Sequence, residues 1–85
     1  MAVDREEVAK RVIKMVCEVL GCSSEEVSEE SQFVADLGAE SIQSIELVTA
    51  FEDEFDIEMD EDAALQVKDV GTAVDFIKKH LEEEN

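Results

Sequence analysis

Apolar residues recur at helical spacing in three segments of the chain, and sustained β-strand alternation is missing. The first segment follows Asp4, a residue type that caps helices, and ends at Gly21. The second runs from about Ser41 to Phe55, and the last follows Asp69. A short helix beginning at Asp60 is predicted over Glu61 to Val67. The pattern therefore predicts an all-α, four-helix bundle of three main helices and one short helix.

A long connection, residues 22–40, joins the first two helices and is rich in Ser, Glu and Gly. Loops of this length are uncommon in small domains unless they are functional or held by their own apolar residues. Gly38 provides backbone freedom for a tight turn into the second helix. The residues predicted to anchor the loop are Val27, Phe33, Val34 and Leu37.

The second helix has two apolar faces. At 100° per residue from Ser41, one face falls between about 240° and 340° and the other between about 40° and 100°. The first is a core stripe of Leu47, Val48, Phe51 and Phe55. The second consists of Ile42, Ile45 and Thr49, ringed by Glu46, Glu52 and Asp53. Such a face is either a set of isolated exposed apolar residues, a second packing contact, or a docking patch with a charged rim. We interpret it as a docking patch, because it begins directly after Ser41.

Charge is distributed unevenly along the 85 residues, which form one predicted domain (1–85). There are 24 acidic and 7 basic residues, a formal net charge of −17, and no Lys or Arg between Met15 and Val67. This balance excludes nucleic-acid binding and predicts partner enzymes with basic surfaces, although acidity also serves solubility alone. No stretch of about 18 apolar residues predicts a membrane span. We expect a monomer in the cytoplasm.

Two features could suggest a metal. Cys17 and Cys22 have no second ligand pair, so they predict reduced thiols or a bridge and not a zinc site. Seven of the ten residues from Asp53 to Asp62 are acidic, which raises the alternative of a small acidic divalent-cation-binding or regulatory protein. An EF-hand loop starting at Asp56 would need Gly at its sixth position, where Glu61 stands, and Glu at its twelfth position, where Val67 stands. No metal site is predicted.

Ser41 stands at the start of the second helix, where free N–H groups and the helix dipole favour an anion. A phosphate ester there would be stabilised by roughly 0.3–1 kcal/mol. A serine in this position is also often a simple helix cap. The only histidine is His80, and no Gly-x-Ser-x-Gly motif is present, so no catalytic residue and no enzyme activity is predicted.

The chain resembles the acyl carrier protein family over most of its length. The matching segments are Phe33-Val-Ala-Asp36-Leu37-Gly38, Ser41-Ile42-Gln43-Ser44-Ile45-Glu46-Leu47-Val48, Phe51-Glu52-Asp53-Glu54-Phe55-Asp56-Ile57, and the apolar pattern Val70, Ala73, Val74, Phe76 and Ile77. The resemblance implies that a phosphopantetheinyl transferase attaches 4′-phosphopantetheine from coenzyme A to Ser41. The thiol of this arm would then carry acyl intermediates as thioesters to fatty-acid, polyketide or specialised lipid enzymes.

The resemblance also implies roles for other residues. Asp36 and Glu40 would help the transferase to recognise the site, and the face around Ile42, Ile45, Glu46, Thr49, Glu52 and Asp53 would bind partner enzymes. A core, part of it a cleft for an acyl chain, would be lined by Phe33, Leu47, Phe51, Ile57, Ala64, Leu65, Val67, Val74 and Ile77.

The chain departs from the family pattern at three places. Glu40 and Ile42 replace the usual Asp and Leu beside the serine, and no Pro precedes the short helix at Met59-Asp60. These departures predict an auxiliary or pathway-specific member of the family.

Overall fold

Three α-helices make up most of the part of the chain that the structure describes. The computed structural model describes residues 3–60, 62, 64 and 66–84. The helices are α1 (Arg5–Leu20), α2 (Ser41–Phe55) and α3 (Val70–Glu84), with a 3₁₀ turn at Ser24–Glu26. Among these residues the only β pairing is an isolated bridge between Gln32 and Asp69. The predicted all-α fold, with its long connection between the first two helices, is confirmed.

Helix α1 begins and ends where local chemistry predicts. The Asp4 carboxylate accepts the N–H of Glu6 at 3.0 Å, which satisfies one of the free donors of the first turn. Gly21 adopts a left-handed conformation (φ 71°), and its N–H donates to the Cys17 carbonyl at 2.8 Å. One face of the helix is buried along Val8, Val12 and Val16.

The end of α2 is held by Glu52. Asp56 turns the chain out of the helix with φ 53°, and the N–H of Ile57 donates to the Glu52 carbonyl at 3.1 Å. The Glu52 carboxylate then accepts the N–H of Met59 at 3.1 Å. Ile57 and Met59 are buried and alternate with the exposed Glu58, so this extended segment covers the core with one side.

The short helix predicted over Glu61 to Val67 includes Glu61, Ala63 and Leu65, which lie outside the described residues. The predicted core position of Leu65 therefore also lies outside them. Asp60, just before these positions, accepts two hydrogen bonds. Its carboxylate accepts the N–H of Asp62 at 3.0 Å, and its backbone carbonyl accepts the N–H of Ala64 at 2.8 Å.

Helix α3 follows Asp69, whose carboxylate accepts the N–H of Thr72 at 2.7 Å. The hydroxyl of Thr72, together with this backbone bond, holds the pKa of the Asp69 carboxyl below its usual range. Helix α1 packs against both other helices, and the most deeply buried side chains lie on α1 and α3. They are Val12, Val16, Val70, Val74 and Ile77.

The connection from α1 to α2 is fixed by backbone bonds to the segment that enters α3. Phe33 N–H donates to the Lys68 carbonyl at 2.9 Å, and Gly71 N–H donates to the Glu29 carbonyl at 2.8 Å. A Cβ at Gly71 would lie only 3.1 Å from the same Glu29 oxygen, so a residue without a side chain suits this approach. Arg5 extends the link, because its guanidinium binds the carboxylates of Glu29 and Asp75.

The predicted anchors of this loop are correct at three positions and wrong at one. Val27 and Phe33 are buried and Leu37 is half-buried, whereas Val34 is 66% exposed. The bond between Phe33 N–H and Lys68 directs the Phe33 ring inward, and its neighbour in the turn then faces outward. Ala39, which was not predicted, is buried in the loop.

Candidate functional site

Ser41 is the first residue of α2, and Glu40 is its N-cap. The N–H of Glu40 donates to the side-chain oxygen of Gln43 at 2.9 Å, which closes the helix start. The alternative that Ser41 is itself the cap is therefore wrong. Its side chain is exposed, and no described residue forms a hydrogen bond with its hydroxyl. The oxygen is available for reaction.

The backbone around Ser41 leaves donors free. The first bond of the helix joins the N–H of Ser44 to the Glu40 carbonyl at 3.0 Å. The N–H groups of Ser41 and Ile42 have no acceptor among the described residues. Together with the positive end of the helix dipole, they favour a negatively charged group on the serine. This start of α2 therefore fits a phosphate ester.

The turn before the helix is shaped by Gly38 and Asp36. Gly38 has φ 69°, as the predicted tight turn requires, and its N–H donates to the Val34 carbonyl at 3.1 Å. One carboxylate oxygen of Asp36 accepts the N–H of Gln32 at 2.7 Å. Asp36 therefore holds the loop in shape while its side chain stays exposed at the surface.

The second apolar face of α2 is open to solvent, as the helical angles predict. Ile42 and Ile45 are 63% and 62% exposed, whereas Leu47 on the opposite face is 3% exposed. Thr49 is exposed, and its hydroxyl donates to the Ile45 carbonyl at 3.2 Å. Together with Val34, the two isoleucines are the exposed large apolar residues of the described chain.

The three carboxylates that ring this face differ in exposure and hydrogen bonding. Glu46 and Asp53 are exposed with no hydrogen-bond partner among the described residues. Glu52 is half-buried and accepts the Met59 N–H, so it also fixes the end of α2. Glu46 and Asp53 are the two carboxylates of the rim that remain free to meet a partner.

A cavity of about 430 Å³ opens beside the buried face of α2. Ser44 lies on its wall, one helical turn after Ser41, and its hydroxyl donates to the Glu40 carbonyl at 3.4 Å. Most of the lining is apolar. Lining residues are Gln32, Phe33, Val34, Ala35, Ser44, Leu47, Val48, Phe51, Met59, Ala64, Val67, Lys68 and Ala73.

The predicted core is largely confirmed, and part of it forms this cavity. Phe33, Leu47, Phe51 and Ala64 are buried and line the cavity, and the half-buried Val67 lines it too. Ile57, Val74 and Ile77 are buried elsewhere in the core. The sequence reading missed Met59 as a lining residue, although its alternation with Glu58 and Asp60 was a signal for burial.

No group of three His, Cys, Asp or Glu side chains in the described part of the chain is arranged to hold a metal ion. None of the described helices is long and apolar enough to cross a membrane.

Comparison with known proteins gives a consistent result. Residues 10–77 match the family model described as a phosphopantetheine attachment site. The chain is 49% identical over 75 residues to an acyl carrier protein of Phenylobacterium zucineum, which covers 88% of this chain and 95% of the relative. It is also 49% identical over 73 residues to the acyl carrier protein AcpP of Rhizobium meliloti, covering 86% of this chain and 94% of the relative.

The chain belongs to the phosphopantetheine-binding family of acyl carrier proteins. It carries acyl groups on a 4′-phosphopantetheine arm and is a carrier, not an enzyme. Its function requires transferase and synthase enzymes as partners and acyl chains as cargo. Fatty-acid biosynthesis is the usual role of such carriers.

Proposed function

We propose that the arm is attached to Ser41 and that α2 presents the attached cargo to basic-surfaced enzymes. The observation that carries the proposal is the position of Ser41 at the first residue of α2, where its hydroxyl is exposed and has no hydrogen-bond partner among the described residues. A phosphodiester formed there would accept hydrogen bonds from the free N–H groups of Ser41 and Ile42. The arm supplies a thiol that holds the acyl group as a thioester.

Glu40 and Asp36 support attachment in different ways. Glu40 fixes the start of α2 through its own N–H, and its exposed carboxylate lies directly beside the serine in sequence. Asp36 holds the preceding turn through its bond to Gln32. We infer that both carboxylates are recognised by the phosphopantetheinyl transferase, and that Asp36 also keeps the loop in the shape that exposes Ser41.

The docking face is formed by Ile42, Ile45, Glu46, Thr49, Glu52 and Asp53. Its exposed isoleucines provide an apolar centre, and Glu46 and Asp53 provide a free acidic rim. Basic residues on a partner would be attracted by the rim and by the net charge of −17, which speeds encounter. Because the face begins one residue after Ser41, a bound partner would have the arm at its edge.

The cavity beside α2 is suited to shelter an acyl chain. Its wall includes Ser44, one turn from the attachment point, and its interior is lined by apolar side chains such as Leu47 and Phe51. Burial of each methylene of the cargo contributes about 0.8 kcal/mol. The chain would therefore lie partly inside the protein while it travels between enzymes.

We also propose that the carrier works as a monomer in the cytoplasm. Cys17 and Cys22 are free thiols in the structure, which is typical of proteins in a reducing compartment.

The attachment proposal is tested by incubating the full chain with coenzyme A and a broad-specificity phosphopantetheinyl transferase. The intact mass of the wild type should rise by one arm, and Ser41→Ala should show no increase. Ser44→Ala is the matched control, since it removes the next serine of the same helix and should be modified like the wild type. Modification of Ser41→Ala, or an unmodified wild type beside a carrier that the same enzyme modifies, would refute the assignment.

A further inference from the structure

Two cysteines lie at the end of α1, away from the residues that line the α2 cavity. Gly21 reverses the chain in a left-handed conformation and donates its N–H to the Cys17 carbonyl. A helix end of this kind brings the residue after the glycine back onto the last turn of the helix. Cys22 is that residue, and it lines the same open cavity as Cys17.

Both thiols are accessible from solvent. Each residue is half-buried, and the two lie on the wall of an open cavity of about 630 Å³. The other residues that line this cavity are Lys10, Ile13, Lys14, Glu18 and Ser24. A small molecule can therefore approach this pair of residues from the open cavity.

We propose that Cys17 and Cys22 form a reversible intramolecular disulfide by exchange with a low-molecular-weight disulfide. In the first step one protein thiolate attacks the oxidant, forms a mixed disulfide and releases one small thiol. The second protein thiolate then attacks the protein sulfur of that mixed disulfide and releases the second small thiol. Two protein thiols lose two electrons and two protons, and the oxidant gains them.

The surroundings of Cys17 set the conditions for this exchange. Burial raises the pKa of the Cys17 thiol, and the neighbouring Cys22 and the charge of Glu26 raise it further. Because the pKa of Cys17 is raised, attack by its thiolate should accelerate as the pH rises, since only the thiolate attacks. The charged groups on the cavity wall are Lys10, Lys14 and Glu18.

Oxidation should tighten the end of α1. The bond would close a small ring across the Gly21 turn and reduce the freedom of the unfolded chain. We expect the oxidised protein to melt about 5 °C higher than the reduced protein.

The test uses the full chain, with and without the arm, in buffers of graded glutathione to glutathione disulfide ratio. The chain without the arm should lose about 2 Da, the mass of two hydrogen atoms, and both cysteines should stop reacting with maleimide. The product should be a monomer, and dithiothreitol should restore both thiols. In the arm-bearing chain, proteolytic fragments should contain Cys17 linked to Cys22, with the arm thiol free or bound to glutathione, because a loss of about 2 Da alone would not exclude a bond between a cysteine and the arm.

Matched variants identify the partners. Cys17→Ser and Cys22→Ser should each stop at the mixed disulfide with glutathione and gain its mass, with no loss of about 2 Da. Phenylarsine oxide, which bridges two adjacent thiols, should bind the wild type at least tenfold more tightly than either variant. A wild type that stops at the mixed disulfide, forms intermolecular dimers or stays reduced beside an oxidised control dithiol would overturn the proposal. The result is independent of Ser41.

Discussion

The guanidinium of Arg11 joins α1 to the last turn of α2 through two bonds to Glu54. Its Nε donates to the Glu54 carboxylate at 2.8 Å, and its Nη2 donates to the Glu54 backbone carbonyl at 2.7 Å. The guanidinium carbon also lies 4.4 Å from the centroid of the Phe55 ring. Since the carbonyls of a last helical turn lack partners within the helix, one cation here replaces a missing bond and pairs with a carboxylate.

We expect Arg11→Met to lower the free energy of unfolding by about 1–2 kcal/mol. The value is modest because the Arg11 side chain is 41% exposed and water screens the ion pair. Urea denaturation at neutral pH measures it. Lys10→Met is the matched control, because it removes one positive charge from the exposed neighbouring position. Equal losses in the two variants would show that only net charge matters and would contradict a specific role for Arg11.

The bond between Arg5 and Glu29 predicts a pH dependence of stability. Arg5 lowers the pKa of the Glu29 carboxyl below its ordinary value of 4.5, so the unfolded chain binds this proton more tightly than the folded chain does. The stability from this group is fully present above pH 4.5 and is lost as the pH falls through the folded pKa.

Glu29→Gln tests this dependence. The difference in free energy of unfolding between the wild type and Glu29→Gln should be largest at about pH 7 and should shrink towards about pH 3.5. Urea titrations across that range measure it. Glu30→Gln removes the same charge from an exposed neighbour and is the control for net charge. A pH-dependent difference that is no larger for Glu29→Gln than for Glu30→Gln would exclude the proposed contribution of Glu29.

The helices were predictable from sequence because their ends depend on nearby residues. Asp4, Gly21 and Asp69 act on backbone groups within a few positions, so residue type and spacing indicate each boundary. Phe33 and Val34 show where this reasoning fails. Both are apolar loop residues, and which of them is buried depends on bonds to distant parts of the chain, such as the one from Phe33 N–H to the Lys68 carbonyl.

The site was predictable to a similar extent. The angular positions of Ile42 and Ile45 around α2 predict their exposure. These angles follow from the helical repeat and do not depend on distant residues. The capping role of Glu40 and the contact between Glu52 and Met59 depend on side-chain direction and on a turn closed by Asp56. Residue spacing does not determine the direction of a side chain. The sequence therefore left Ser41 as an alternative N-cap, whereas the structure has Glu40 there.

The free acidic rim of the proposed docking face predicts how charge reversal changes partner binding. We expect Glu46→Lys to lower the association rate with the phosphopantetheinyl transferase by about tenfold at low salt, and less at high salt. Stopped-flow or surface-binding kinetics at two ionic strengths measure the effect. Glu83→Lys makes the same charge change at an exposed position on α3. If both variants slow association equally, the net charge steers encounter and the α2 face does not.

The cavity beside α2 predicts that longer cargo stabilises the carrier. Loading an octanoyl chain in place of an acetyl group on the arm should raise the free energy of unfolding by a few kcal/mol, because each buried methylene contributes about 0.8 kcal/mol. Val48→Phe should reduce this gain, since Val48 lines the cavity and a larger ring occupies the space of the chain. Val19→Phe, at a half-buried position of α1 that does not line the cavity, should leave the gain unchanged. Urea denaturation of each protein with both cargoes measures the gain, and an equal stability of octanoyl and acetyl forms in the wild type would mean that the chain lies outside the cavity.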